Sequence, residues 1–107
     1  MDIFLEALTK NFPQILIHFE DFQTERALGM LERYQNKYLC FNDDIQGTGA
    51  VVLAGLINAM KKTKLLLNQQ RVLLAGAGSA SVGVAKMLLI YLQNECNLSA
   101  EEAKKLI

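Results

Sequence analysis

ILIHFEDF at residues 15–22 and YLCFNDDIQGT at residues 38–48 are the stretches that decide the fold of this chain. Each begins as a short apolar run typical of a buried strand, ends in adjacent carboxylates, and leads into a segment with helical spacing. A third apolar run, RVLLA at residues 71–75, precedes the glycine turn GAG at 76–78 and another helical segment. Strands separated by helices pair in parallel with right-handed connections. The sequence therefore predicts an α/β fold, a parallel sheet of about three strands with crossover helices.

Composition limits the functions that are open to the chain. Its 107 residues are 51% hydrophobic and 21% charged, which is typical of a folded domain. The formal net charge is zero and no basic stripe is present, so nucleic acid is not expected as a partner. No apolar run approaches the roughly 20 residues of a membrane span, so no membrane association is expected. Cys40 and Cys96 lack the spacing of a zinc or redox site, which favours a reducing, intracellular location.

Carboxylates at the ends of the first two strands predict a cation site. Glu20 and Asp21 follow the first strand, and Asp43 and Asp44 follow the second. In a parallel sheet ligands bind beyond the carboxyl ends of the strands, and carboxylate oxygens suit Mg²⁺ or Mn²⁺. Glu20 and Asp21 can share one ion only where the strand has ended, because consecutive strand residues point to opposite faces. The alternative is that these acids cap the helices that follow.

The glycine turn after the third apolar run predicts a dinucleotide site. The first glycine permits a tight turn, and the second lets the backbone approach a pyrophosphate at the start of a helix. Ser81 stands where a third small residue allows close packing, and Gly83 lies two residues further on. The predicted cofactor-binding residues are Gly76, Ala77, Gly78, Ser79, Ala80 and Ser81. The alternative is a tight strand-to-helix connection that binds nothing.

The single histidine and the two cysteines are not predicted to take part in catalysis. His18 lies within an apolar strand and has no assignable acid–base partner, so a packed or hydrogen-bonded core histidine is expected. Cys40 lies in a strand as well and is expected in the core. No residue of the chain is therefore predicted to be catalytic.

The acidic motifs resemble those of malic enzymes. FEDF at 19–22 and FNDDIQGT at 41–48 are similar to the two acidic motifs of that family. LERY at 31–34 and NKY at 36–38 look like the family's helix and strand between them, and GAG at 76–78 followed by VGVA at 82–85 is similar to its cofactor loop. The resemblance spans nearly the whole chain.

The resemblance implies oxidative decarboxylation of malate to pyruvate and CO₂ with reduction of NAD or NADP. By position, Glu20, Asp21 and Asp44 match the family's divalent-metal ligands, for Mg²⁺ or Mn²⁺, and Asp43 matches the acid that lies beside them and supports them. His18 stands where the family commonly has a glutamine. Residues 1–70 would form the metal-binding segment, with the acidic motifs on two strand–helix units. Residues 71–107 would begin the NAD(P)-binding, Rossmann-like domain.

The resemblance also implies that the chain corresponds to the central part of a larger Rossmann-like enzyme. The family's proton-handling tyrosine and lysine, and an arginine that holds the substrate, lie upstream of the matching region. The isolated segment is therefore expected to be inactive. The full-length form is expected to act on a small molecule, malate or pyruvate, as a homo-oligomer in the cytoplasm or mitochondrial matrix.

Two other functions remain open from the residues alone. One is a non-catalytic metal- or nucleotide-binding module derived from such an enzyme. The other is a different oxidoreductase that shares only the dinucleotide-binding half. In every case a truncated parallel sheet leaves strand edges and apolar helix faces uncovered, so the chain by itself is expected to self-associate or to be marginally stable.

Overall fold

Apolar runs and amphipathic segments fold into five α-helices and two short strands in a computed structural model that covers residues Met1–Ile107. The elements are α1 (Asp2–Asn11), β1 (Ile17–His18), α2 (Thr24–Tyr34), β2 (Cys40–Phe41), a π-helical turn (Asp43–Gly47), α3 (Thr48–Thr63), a 3₁₀ turn (Leu67–Gln69), α4 (Ser79–Asn94) and α5 (Ala100–Lys104). None of the helices combines the length and the apolar character that a membrane crossing requires.

The chain divides into two compact units, Met1–Asp43 and Asp44–Ile107. This boundary separates two groups of residues that pack mainly among themselves. The boundary predicted after residue 70 separates a cation-binding segment from a cofactor-binding segment, and it stays a prediction.

A parallel pair of strands forms the sheet of the first unit. Ile17 lies opposite Cys40 and His18 opposite Phe41. The backbone N–H of Ile17 donates to the carbonyl oxygen of Leu39 at 2.9 Å, and that of Phe19 donates to Phe41 at 2.9 Å. The parallel pairing that the strand–helix–strand order predicts is therefore confirmed for these two strands.

The core of the first unit joins both helices to the strands. Three side chains are buried together there: Leu5 of α1, Phe19 directly after β1, and Tyr34 of α2. The ring centres of Phe19 and Tyr34 lie 5.9 Å apart. At the edge of this core Asp2 accepts hydrogen bonds from the Tyr34 hydroxyl at 2.9 Å and from Arg33 at 2.7 Å. The Tyr34 hydrogen bond, aided by the Arg33 charge, lowers the pKa of Asp2 from its usual range.

The second unit is a helical assembly in which α3 and α5 pack on α4. Its core is apolar and consists of Leu67, Val84, Leu88, Leu92 and Ala103. Ser99 begins α5 with a capping box, as the Ser-x-x-Glu spacing predicts. Its hydroxyl accepts from the backbone N–H of Glu102 at 3.3 Å, and its backbone N–H donates to the Glu102 carboxylate at 2.9 Å.

The structure has two strands where the sequence predicts about three. Residues 71–75 belong to no sheet. Val72 and Leu74 lie partly buried against the second core, while Arg71 and Leu73 are exposed, so the alternation of a strand is present. A strand also needs a neighbouring backbone, and the backbone hydrogen bond from this segment to a distant part of the chain is the one from the Val72 N–H to the Leu106 carbonyl at 2.7 Å.

Candidate cation and cofactor sites

The first acidic pair lies in a turn directly after β1. Phe19 is buried and Phe22 is partly buried on either side of the pair, with their rings edge to face at 6.5 Å. Asp21 has a φ of 54°, in the left-handed region that residues other than glycine rarely occupy. The strand has therefore ended before Glu20 and Asp21, so strand alternation does not force their carboxylates onto opposite faces.

Within the first unit, His18 contacts Glu20 of the first acidic stretch and Asp43 of the second. Its Nε2 lies 3.0 Å from a Glu20 carboxylate oxygen, and the backbone N–H of Asp43 approaches the same atom at 3.3 Å. A protonated Nε2 donates to Glu20, whereas an unprotonated one accepts from Asp43, so a neutral ring satisfies one contact at a time. The ring also stacks on Phe41 at 4.3 Å.

The expectation of a packed or hydrogen-bonded core histidine is correct for the contacts that His18 makes and wrong for its burial. His18 is hydrogen-bonded and stacked, but 38% of its side chain is exposed. The apolar neighbours in sequence suggested burial. On a strand this short, the face to which each residue points decides its burial, and His18 points to the solvent face.

The second acidic pair begins a helix through an unusual turn. Asp43–Gly47 forms one π-helical turn, and Gly47 keeps helical dihedrals into α3. Single π-turns are rare and are found frequently at functional sites. No side chain caps α3, and the Asp44 carboxylate makes no hydrogen bond or ion pair. The alternative reading of Asp44 as a helix cap therefore has no support in the structure.

The donor chemistry of the predicted ligands fits a hard divalent cation. Glu20, Asp21 and Asp44 offer carboxylate oxygens, which Mg²⁺ and Mn²⁺ prefer. The carboxylates of Asp21 and Asp44 are engaged by no other residue, whereas Glu20 is paired with His18. The structure holds no group of three or more His, Cys, Asp or Glu side chains arranged around a metal position. The ligand set stays a prediction, and so does the supporting role of Asp43.

The glycine turn leads directly into the N-terminus of α4. Gly76 has a φ of 127°, which side-chain-bearing residues rarely adopt, and its N–H donates to the Leu74 carbonyl at 3.1 Å. Gly78 precedes Ser79 at the start of α4, with extended dihedrals. A Cβ added at Gly78 would meet no heavy atom within 4 Å. The start of a sixteen-residue helix is thus open to a phosphate, which its N–H groups and dipole favour.

A glycine of α4 packs closely at Gly83, two residues beyond Ser81, whose predicted role stays a prediction. A side chain on Gly83 would overlap the carbonyl oxygen of Ile45, and a side chain on Gly49 would lie 2.7 Å from the Gly83 carbonyl oxygen. Sequence reasoning gave neither glycine this role. The signal was available, since a glycine inside a helical pattern weakens the helix and so calls for a packing or functional reason.

The chain matches a family described as "Malic enzyme, NAD binding domain" over residues 45–107. It is 44% identical over 105 residues to the NADP-dependent malic enzyme of Dictyostelium discoideum, covering 98% of this chain and 19% of that protein. It is 48% identical over 104 residues to the mitochondrial NAD-dependent malic enzyme of Ascaris suum, covering 96% and 16%. To the NAD-dependent malic enzyme of Cronobacter sakazakii it is 41% identical, covering 97% and 18%.

These relatives are much longer than this chain. The 107 residues span less than a fifth of each of the three. The match to the family begins at Ile45, immediately after the second acidic pair, and it includes the whole glycine turn and α4.

Proposed function

Because the chain belongs to the malic enzyme family, we propose that it forms the cation- and cofactor-binding centre of an NAD(P)-dependent, malic enzyme-type oxidoreductase. The observation that carries this proposal is the start of α4. An unobstructed Gly78 precedes a long helix, inside the residues that match an NAD-binding domain. Backbone N–H groups there would hold the pyrophosphate of NAD or NADP, with residues 76–81 as the contact segment.

The acidic stretches supply the second part of the proposal. Glu20, Asp21 and Asp44 would hold Mg²⁺ or Mn²⁺, and Asp43 would support them. Bound there, the cation would supply Lewis-acid stabilisation of the negative charge that develops on the substrate oxygens. Glu20 would exchange its contact with His18 for the cation, which leaves the ring free to accept the N–H of Asp43.

The proposed reaction is oxidative decarboxylation of malate to pyruvate and CO₂, with hydride transfer to NAD or NADP. We assign no proton-transfer step to this chain, because none of its residues is proposed as a catalytic acid or base. Those groups would be supplied by other parts of a longer polypeptide, which we expect to be a homo-oligomer. In that setting we expect residues 71–75 to pair as a third strand, since their side chains already alternate.

A non-catalytic binding module is the second candidate. It is favoured by the lack of an assignable acid–base pair among the residues of this chain. The sequence that flanks this segment in its gene separates the two. A tyrosine and a lysine upstream, at the family's proton-handling positions, would support the enzyme; their absence would support the module.

The cation site is tested by titrating the purified chain with Mn²⁺. Asp44→Asn is expected to weaken binding at least about tenfold, since it removes a charged ligand and keeps the shape of the side chain. Glu32→Gln, on an exposed position of α2, removes the same charge elsewhere and should bind as the wild type does. Absent binding, or binding that Asp44→Asn leaves unchanged, would favour an oxidoreductase that shares only the dinucleotide half.

Activity is tested with malate and either NAD or NADP. The purified 107-residue chain is expected to form no NAD(P)H, because it lacks residues for proton transfer. Malate-dependent formation of NAD(P)H by this chain would refute that expectation.

A further inference from the structure

Within the second unit, two glycines allow the backbone of the π-helical turn at Ile45 to contact the backbone of α4. Gly83 lies inside α4, and a side chain there would overlap the carbonyl oxygen of Ile45 in the π-helical turn. Gly49 lies in the first turn of α3 on the other side of this contact. A Cβ added to it would lie 2.7 Å from the Gly83 carbonyl oxygen and 3.4 Å from the Met87 Cβ.

This contact leaves no room for a methyl group. A Cβ on Gly83 would lie 2.7 Å from the carbonyl carbon of Ile45 and 2.9 Å from its Cα, whereas contacting carbon atoms prefer about 3.5–4.0 Å. The turn and α4 would have to separate by roughly 0.5–1 Å. The obstructing atoms belong to the backbone, so no side-chain rotation relieves the overlap.

A shift of Ile45 is also a shift of Asp44. The two residues are adjacent in a single π-helical turn, and Ile45 is buried with 2% exposure, so the turn cannot move one without the other. Metal sites tolerate deviations in ligand distance of only about 0.2 Å. The displacement forced by a methyl group at Gly83 is several times larger than that tolerance.

We propose that Gly83 and Gly49 are positioning residues, whose backbone contact fixes the Asp44 carboxylate relative to the N-terminus of α4. The cation ligand and the pyrophosphate-binding turn then belong to one rigid arrangement. This inference rests on the proposed function, because it takes Asp44 as a cation ligand and residues 76–81 as the cofactor contact. Filling the contact should weaken cation and dinucleotide binding together.

The experiment is a Mn²⁺ titration of the purified chain, followed by the EPR signal of the free ion, with NADH fluorescence titrated in parallel. Gly83→Ala is expected to weaken Mn²⁺ binding about 10–100-fold, the range found when groups that orient metal ligands are changed. It should also alter the EPR spectrum of the bound ion and weaken NADH binding. Gly49→Ala causes a smaller overlap and should also weaken the binding of Mn²⁺ and of NADH. It replaces Gly83→Ala in the test if that variant does not fold.

Two matched controls separate positioning from general destabilisation. Gly55→Ala makes the same replacement in α3 where no heavy atom lies within 4 Å, so it should bind Mn²⁺ as the wild type does. Leu88→Ala removes a fully buried side chain from α4. It should lower the melting temperature and leave Mn²⁺ affinity unchanged at temperatures where the variant is folded.

Asp44→Asn distinguishes the two ways in which the reasoning can fail. If the wild type binds no Mn²⁺, or Asp44→Asn binds it normally, the proposed function is wrong and the positioning role falls with it. If Asp44→Asn loses binding while folded Gly83→Ala and Gly49→Ala keep it, only the positioning role is wrong. That role is also wrong if Leu88→Ala weakens Mn²⁺ binding as much as Gly83→Ala does.

Discussion

Replacing Gly76 with alanine should destabilise the second unit, whereas the same replacement at Gly78 should leave its stability nearly unchanged. Gly76 has a φ of 127°, and a Cβ there would have its nearest neighbour, the Ser81 hydroxyl, at 4.0 Å. Space is therefore sufficient, and the cost is backbone strain of about 1–3 kcal/mol. Alanine also has less conformational freedom than glycine in the unfolded chain, which offsets about 0.4–1 kcal/mol of this strain. The net loss of stability is therefore about 1–2 kcal/mol.

Gly78 has a φ of −75° and a ψ of 178°, which any residue adopts, and its Cβ position is open. Alanine there gains about 0.4–1 kcal/mol through the unfolded chain, but Gly78 is the N-cap of α4, where alanine is less favourable than glycine by a similar amount, so stability should change little. The two variants should therefore differ by roughly 1–2 kcal/mol, which for a small domain corresponds to melting temperatures about 5–10 °C apart. Circular dichroism during thermal and urea unfolding of the purified variants measures this difference.

At Gly78 the replacement should weaken NADH binding while leaving the stability of the unit nearly unchanged. Its added methyl group would stand where the backbone must approach a phosphate, so Gly78→Ala should lose NADH binding although it is more stable than Gly76→Ala. NADH fluorescence titration of the same samples checks this. A Gly78→Ala variant as unstable as Gly76→Ala, or a neutral Gly76→Ala, would refute the backbone argument. Undiminished NADH binding by Gly78→Ala would refute the role of the turn.

Other perturbations test the packing of each unit. Leu88→Ala should cost about 2–5 kcal/mol in urea unfolding, because Leu88 is fully buried in the second core; a loss below 1 kcal/mol would mean that the site collapses around the smaller residue. The pKa of Asp2 is lowered in the folded chain, chiefly by the Tyr34 hydroxyl, so the stability it contributes at neutral pH is lost as the pH falls through that lowered pKa. Tyr34→Phe should therefore show a smaller drop in urea midpoint between pH 7 and acid than the wild type does, and an equal drop would contradict this account. The chain should also self-associate, since Ile3 is 83% and Leu73 92% exposed; sedimentation that shows a monomer with a cooperative, high-temperature melt would argue against it.

Local signals in the sequence were sufficient for much of the fold. The parallel pairing of β1 with β2 follows from the order of apolar runs and helical segments, and the capping box at Ser99 follows from two residues three positions apart. The turn that holds Glu20 and Asp21 is predicted on the condition that both bind one ion, because neighbouring strand residues point to opposite faces; the structure does end β1 before them. The cap and the turn depend on residues close together in the chain, and the pairing depends on the order of successive elements.

The third strand and the third glycine show where local signals are insufficient. Residues 71–75 alternate as a strand does, yet strand formation requires a partner backbone, and their own side chains say nothing about its presence. Ser81 occupies the motif position for close packing, but packing depends on which helix face meets which neighbour. Gly83 lies on the face of α4 that meets Ile45, and only the assembled unit reveals that contact.

By itself, the sequence determined the family, the acidic motifs, the glycine turn and the order of elements, because these are carried by residue identity and short spacing. Only the tertiary structure decided that Asp44 enters a π-helical turn and that His18 pairs with Glu20 at the surface. It alone also showed the turn and α4 meeting through glycines, with no room for a side chain. The physical reason is that close contact between distant segments depends on shape after folding. A motif specifies which groups are available, and the packing of helices and turns specifies where they stand.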